Sequence, residues 1–373
     1  MLTIVKGPYL QWPTRESVTI MWETGHEATG EVVYWETAPV AHGLAGRART
    51  LEETQRRLQE RGRRRIHSIT LTGLQAEAVY HYRVRSVDAQ GDQVESDVYP
   101  VKTAVRTETP FSFAVTSESG GYGDGAINDR IFPLIAGFRP DFLLMVGDAV
   151  GNGQRYQDWD EFFFAPARNL LHDTPFYLCP GNHEENASWF YDLTAYPAPG
   201  NYYAFDYGNT RFVGLDSTPM VDFMADRPTG QLQPGAAQVE FLERQLAGEA
   251  QWKIVFFHYP PYVSGDYQVA SMRALCPLLE EAGVDLVFNS HTIVYERSHP
   301  LKGGQLAQSE GTVYVVAGGC GAKPDWFHPQ RAWHTAQALA VPHFVQVVVA
   351  GGRLELHAFD MEGRLFDLLV LEK

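Results

Sequence analysis

Between residues 111 and 319 the chain carries seven short apolar runs, most of them stopping on a polar residue: FSFAVTS, DFLLMVGD, FYLCPGNH, TRFVGLD, WKIVFFHY, VDLVFNSH and TVYVVAGG. A strand that is apolar on both faces needs cover on both faces, so these runs predict the buried sheets of an α/β domain. Between them, INDRIFPLIAGF, VEFLERQLAG and ASMRALCPLLEEAG place apolar residues three and four apart, with glycine closing the last two. They predict the covering helices.

Residues 1 to about 107 have a different period. SVTIMWE, GEVVYWE, HSITLTGL and VYHYRVRS alternate apolar and polar residues between turn-rich or charged segments, which predicts an antiparallel sandwich. Trp22 falls in an early strand, and Tyr80 and Tyr82 enter a late one, as in fibronectin type III modules. The arginine and glutamate block ARTLEETQRRLQERGRRRI (48–66) predicts solvated surface, as a helical insertion or a loop. At the other end, HFVQVVVAGGRLELHAFDMEGRLFDLLVLEK reads as three strands separated at Gly351-Gly352 and Glu362-Gly363. A length of 373 residues suits two domains, 1–107 and 108–373.

Composition narrows the partners. Without a run of about twenty apolar residues, no membrane span is expected. A net charge of −15 opposes nucleic acid. MLTIVKGPYLQW lacks the pattern of a secretion leader, so cytoplasm is the default expectation, or export if a leader was removed. Cys179, Cys276 and Cys320 form no CxxC pair and are expected as small buried side chains. Oligomeric state is not legible.

In open α/β sheets ligands bind beyond the carboxyl ends of strands. The residues there are Glu118, Asp148, Asn182 with His183, His258 and His291. A single histidine at a strand end is ordinarily a satisfied polar residue; a series at equivalent positions points to a site. One carboxylate, one amide oxygen and two imidazoles, from Asp148, Asn182, His258 and His291, suit zinc, manganese or iron. Asp148, His258 and His291 alone are also the two-histidine, one-carboxylate set of Fe(II) oxygenases, although Asn182 would fill a position that oxygen chemistry needs open.

GDAV, GNHE, VFFH and SHTIVYER, in this order, resemble the motif series of calcineurin-like metallophosphoesterases. With the preceding sandwich and its GPYLQ opening, the chain is similar to the purple acid phosphatase branch over nearly its full length, including NYYAFDYGNTRFVGLDS, GTVYVVAGG and the C-terminal hairpin. The resemblance implies two mixed β-sheets flanked by helices and a two-metal centre that hydrolyses phosphate esters, its metals about 3.5–4 Å apart. It implies Asp148 as bridging carboxylate, Asn182, His258 and His291 as ligands of one metal, and His183 as the outer histidine that stabilises the transition state or protonates the leaving oxygen.

For the other metal, the resemblance places an aspartate, a tyrosine and a histidine where this chain has Glu118, Gly151 and Ile293. Three departures on one metal imply that this half-site is lost, and with the tyrosine goes the family's purple colour. Glu118, Tyr122, His328 and His334 are the candidate replacements, the last two within KPDWFHPQRAWH. Tyr259 and Tyr267 stand where relatives often carry a further histidine pair, and Glu118, Tyr122 and Tyr267 are candidate second-metal or substrate contacts. GGYGDG (120–125) and GNG (151–153) are glycine turns that would present N–H groups to an anion. Glu296 and Arg297 are expected as a structural ion pair or as support for His291, and Asp216 as structural.

The resulting expectation is a metal-dependent phosphoesterase-like hydrolase that uses one divalent transition metal, with a phosphodiester, a small phosphoester or a related anion as substrate. The alternatives are a pseudophosphatase or binding protein that keeps the fold and at most one metal, and a mononuclear metal enzyme of different chemistry such as an Fe(II) oxygenase.

Overall fold

The computed structural model describes residues 1–36, 55–120, 125–308 and 310–373, with backbone only at 125 and 126. Two compact units are present: Met1–Arg106 with Arg168–Phe176, and Thr107–Ala167 with Tyr177–Lys373.

In the first unit the strands pair antiparallel. SVTIMWE and GEVVYWE, expected as two strands, are halves of one, Ser17–Glu36. GHEA between them makes an irregularity in register rather than a turn, between Glu23 and Ala28. The first half pairs with Ile4–Gln11 and Arg64–Thr72, and the second with Arg56–Gln59 and Val79–Asp88. A bulge lets one strand change partners and so serve both faces of a sandwich. Its core gathers Trp22, Val32, Ile69, Leu71, Tyr82 and Val84. The Gln75 N–H donates to the Tyr80 hydroxyl at 3.0 Å, a bond that locks the entry to the late strand as a tyrosine corner does. Of the charged block, residues 48–54 lie outside the described residues. The rest holds two strands joined by a short loop: Arg56–Gln59 is exposed, and Arg64–Thr72 alternates, exposed at Arg64, Arg65, Ser68, Thr70 and Thr72 and buried at His67, Ile69 and Leu71, because both backbones pair with the long strand.

In the second unit all seven apolar runs form strands, divided between two sheets. One runs Phe176–Leu178, Phe142–Met145, Phe111–Thr116, His343–Ala350, Arg353–Asp360, Leu365–Glu372. The other runs Tyr203–Tyr207, Thr210–Gly214, Trp252–Phe256, Leu286–Asn289, Val313–Ala317, Tyr295–Ser298, Thr335–Leu339. Both are mixed: Phe111–Thr116 is parallel to one neighbour and antiparallel to the other, as is Val313–Ala317. Phe113 of the first sheet meets Phe212 and Phe288 of the second edge-on at 5.2 and 6.3 Å, so the inner faces interlock through aromatic rings. Helices Gly125–Phe138, Ala237–Leu246 and Cys276–Glu281 form where the 3.6-residue period predicted them. ASMRAL is a 3-10 turn, since Pro277, at the start of the helix Cys276–Glu281, sets where the α-helix begins. The three cysteines are buried and free, and no helix among the described residues is long and apolar enough to cross a membrane.

His343 is fully buried where its strand begins, with Nδ1 bonded to the Val341 carbonyl at 2.8 Å. Burial pushes its imidazole down to about 4. The unfolded chain, at an ordinary value of about 6.5, therefore takes up this proton first as pH falls. The stability that neutral His343 contributes is whole above pH 6.5 and is lost between 6.5 and 4, about 3 kcal/mol at most. His343→Gln is expected to reduce the stability difference between pH 7 and pH 4.5, measured by denaturant unfolding; an unchanged difference would assign the acid sensitivity elsewhere.

Candidate functional site

Five strand tips converge. Glu118 and Asp148 follow the parallel neighbours Phe111–Thr116 and Phe142–Met145, Asn182 and His183 follow Phe176–Leu178, and His258 and His291 follow the parallel neighbours Trp252–Phe256 and Leu286–Asn289. Glu118, Asp148 and His291 have φ of 60°, 52° and 68°. Non-glycine residues hold this left-handed conformation only where their surroundings enforce it, and such positions cluster at functional sites. Gly181 shows how tightly the loops close, because a Cβ there would lie 2.2 Å from Asp148 Oδ1.

The arrangement of acceptors decides what the site can hold. His258 Nδ1–H donates to the Val146 carbonyl at 2.9 Å, which turns the Nε2 lone pair towards Asn182 Oδ1 at 3.0 Å and Asp148 Oδ2 at 3.1 Å. Three acceptors facing one another repel unless a proton or a cation lies among them. Burial opposes charge on His258, but the Asp148 carboxylate outweighs it and pushes the imidazole up to about 9. Burial alone would likewise raise Asp148, and His258 holds it below the usual carboxylate range. His291 Nε2 is buried and has no hydrogen-bond partner among the described residues, and burial pushes this imidazole down to about 3, leaving it neutral. Asp148, His258 and His291 each offer an atom within 4.8 Å of the others. A neutral imidazole with an orphaned nitrogen beside a carboxylate and a second oriented imidazole fits a divalent transition metal.

Glu184 is a functional residue that the sequence reading missed. It is fully buried, and its carboxylate accepts from the N–H groups of Gly181 (2.6 Å), Asp148 (2.9 Å) and Ala149 (2.8 Å). One side chain thereby ties the loop bearing Asn182 to the loop bearing Asp148. Burial, then Asp148, pushes it up to about 7. Its signal was present in GNHE, where a glutamate directly follows the two site residues.

His183 N–H donates to Asp148 Oδ1 at 2.8 Å and its Nδ1–H to the Gly151 carbonyl at 2.8 Å. Nε2 is therefore the nitrogen turned to the cavity, 3.9 Å from Asp148 Oδ2 in a side chain 29% exposed. Burial disfavours its charged form, but Asp148 and the Gly151 carbonyl outweigh that and raise the imidazole above its ordinary value.

The three positions expected to depart from the family pattern make contacts within the protein. Glu118 Oε1 accepts from Ser290 Oγ–H at 2.5 Å and His291 N–H at 2.8 Å. Burial, then Asp148, pushes its carboxyl up to about 8. At Gly151 a Cβ would meet the Gly120 carbonyl at 2.8 Å, so a larger side chain there displaces backbone. Ile293 lines a cavity of about 440 Å³ together with Glu118, His183, Phe223, Tyr267 and Lys323. Tyr259 is buried with its ring 4.9 Å from that of His291.

The remaining expected residues fall at several different places. Tyr122 and residues 121–124 of the first glycine turn lie outside the described residues. His328 lines a different cavity, of about 510 Å³, with Ser264 and Gln268. His334 is buried with Nδ1 3.6 Å from Glu296 Oε1. Their insertion instead delivers Lys323 and Asp325 to the cavity lined by Asp148 and His291. The Gly153 N–H of GNG is taken by the His183 carbonyl at 2.7 Å and does not face an anion. Glu296 and Arg297 do not pair with each other, because adjacent strand residues point to opposite faces: Glu296 accepts from Ser264 and Thr335, and Arg297 pairs with Asp367. Asp216 is bound by Thr218 and Asn201, a structural role.

The family model of calcineurin-like phosphoesterases matches residues 111–295, and that of the purple acid phosphatase N-terminal domain matches residues 5–103. The chain carries a calcineurin-like phosphoesterase domain behind a purple acid phosphatase N-terminal domain. Over 297 residues it is 26% identical to purple acid phosphatase 15 of Arabidopsis thaliana, covering 68% of this chain and 53% of that protein. Over 326 residues it is 24% identical to probable inactive purple acid phosphatase 27 of the same plant, covering 70% of this chain and 51% of that one. It thus spans about half the length of these plant relatives. A purple acid phosphatase from yellow lupin seeds shares the fold with a TM-score of 0.82 at 18% identity, covering 98% of this chain and 74% of that chain. Metallophosphoesterases use divalent metals on phosphoesters, and in this chain the candidate metal group is Asp148, His258 and His291.

Proposed function

We propose that the protein is a phosphoesterase-like hydrolase that works with a single divalent metal held by Asp148, Asn182, His258 and His291, on a phosphodiester or a small phosphoester. The observation that carries this reading is the convergence of Asp148 Oδ2, Asn182 Oδ1 and His258 Nε2 beside the unpartnered nitrogen of His291. A divalent metal there would supply Lewis-acid polarisation of a phosphoryl oxygen and would acidify water. Hydrolysis forms one P–O bond to water and breaks one to the alcohol, whose departing oxygen takes a proton. His183 Nε2 is the cavity-facing nitrogen suited to give that proton, held in aim by the Gly151 carbonyl. Asp148 fixes the backbone of the same histidine, and Glu184 keeps both loops in register.

The test is turnover of a panel of phosphodiesters and small phosphomonoesters by protein loaded separately with zinc, manganese and iron. His183→Ala is expected to lower kcat by about 10²–10⁴-fold at unchanged metal content. Absence of metal-dependent turnover across the panel, or a His183→Ala variant as active as the parent, would overturn the reading.

A second reading is a pseudophosphatase that keeps one metal and binds a ligand or partner. The substitutions at Gly151 and Ile293 favour it, as does a relative described as probably inactive. Retention of one metal with no turnover on the panel would support it. The Fe(II) oxygenase reading ranks third, because Asn182 Oδ1, 3.0 Å from His258 Nε2, stands among the candidate donors where oxygen chemistry needs an open position; absence of Fe(II)-dependent oxygen uptake would remove it.

A further inference from the structure

One short loop borders the altered half of the site. The Cys320 N–H donates to the Ser117 carbonyl at 2.9 Å and the Ala322 N–H to the Glu118 carbonyl at 2.8 Å. Three residues on, the Asp325 N–H donates to the Ile293 carbonyl at 3.0 Å, while Asp325 Oδ2 accepts the Ile293 N–H at 2.8 Å. Residues 320–325 are therefore pinned on one side to Glu118 and on the other to Ile293, two of the three positions altered together. Lys323 lies between the two pins.

The Lys323 side chain is exposed and lines the same cavity as Asp148, His183 and His291. It is the one lysine or arginine among the lining residues, and among the described residues it makes no ion pair. The acidic side chains there are the carboxyls of Glu118, Asp148 and Asp325, in a chain of net charge −15. A phosphoryl group bound at a single metal would meet these carboxyls and apolar Ile293 on its far side. Transfer of a phosphoryl group needs positive charge on its non-bridging oxygens, and an ammonium on a flexible stem is a point charge that can supply it.

We propose that Lys323 binds the phosphoryl oxygens of the substrate on the Glu118–Ile293 side of the cavity, as the second cation of a one-metal centre. The proposal rests on the reading of this cavity as a phosphoester site.

The test measures inorganic phosphate binding by calorimetry, at constant ionic strength, to the full chain loaded with zinc. Lys323→Ala is expected to weaken phosphate by about 10- to 100-fold, the range for one hydrogen bond to a charged group. Lys323→Arg is expected to retain most of the affinity, and neither variant should change the metal content or the melting temperature of this exposed position. Lys323→Ala that binds phosphate as the parent does, or a parent that binds none, would overturn the proposal. So would two metals per chain, one of them lost in Asp325→Ala, since the loop would then contribute a ligand instead of an ammonium. If phosphate binding depends on Lys323 but no ester is turned over, the role of Lys323 stands and the hydrolytic reading falls.

Discussion

His291→Ala is expected to take the chain from about one tightly held divalent metal to none, measured by elemental analysis after loading with zinc, manganese or iron and removal of loose ions. The imidazole is buried and neutral, its Nε2 has no hydrogen-bond partner among the described residues, and it sits within 4.8 Å of the donors on Asp148 and His258. Losing an outer partner of a ligand costs about 10–100-fold in metal affinity, so loss of a ligand itself should exceed about 100-fold. The rings of Phe223, Tyr259 and Tyr267 stand 5.3, 4.9 and 5.8 Å from the His291 ring and remain in the variant, so the fold should persist while the metal is lost. Two metals in the parent would mean that a second site has been rebuilt; none would favour the binding-protein reading.

Glu184→Ala is expected to have the largest effect on stability. Its carboxylate satisfies three buried N–H groups, on Gly181, Asp148 and Ala149. Each unsatisfied buried donor costs about 1–3 kcal/mol, so a loss of at least about 3 kcal/mol should appear in denaturant unfolding. Glu184→Gln keeps one oxygen but turns an amide donor towards the remaining N–H groups, and should fall between parent and alanine. Because the same carboxylate holds the Asp148 loop, metal affinity should fall with stability; an alanine variant with parental unfolding would remove Glu184 from this role.

Much of the architecture was legible because it depends on local pattern. Continuous apolar runs such as DFLLMVGD and VDLVFNSH must be covered on both faces, and the polar residue ending each must emerge at a strand tip. The 3.6-residue period found the helices, yet not the 3-10 turn that Pro277 imposes on ASMRAL. The joining of SVTIMWE and GEVVYWE into one strand was not legible either, since a glycine with two charged or polar neighbours serves a turn and a bulge equally well. Glu184 was passed over because glutamate is ordinarily exposed, and only folding shows three N–H groups aimed at it.

By itself the sequence determined that strands of two kinds would form, that Asp148, Asn182, His183, His258 and His291 would end them, and that Gly151 and Ile293 could supply no side-chain donor. Tertiary structure decided which tips meet: the seven runs divide between two sheets, and Asp148 and His258 become neighbours although their strands pair with different partners. It also set the His258 tautomer through the Val146 carbonyl, buried Glu184 against two loops, and brought Lys323 and Asp325 beside the altered positions instead of His328 and His334. The physical reason is range. Burial pattern and strand period are properties of a few adjacent residues, whereas lone pairs, orphaned N–H groups and uncompensated charge acquire meaning only from what distant segments place opposite them.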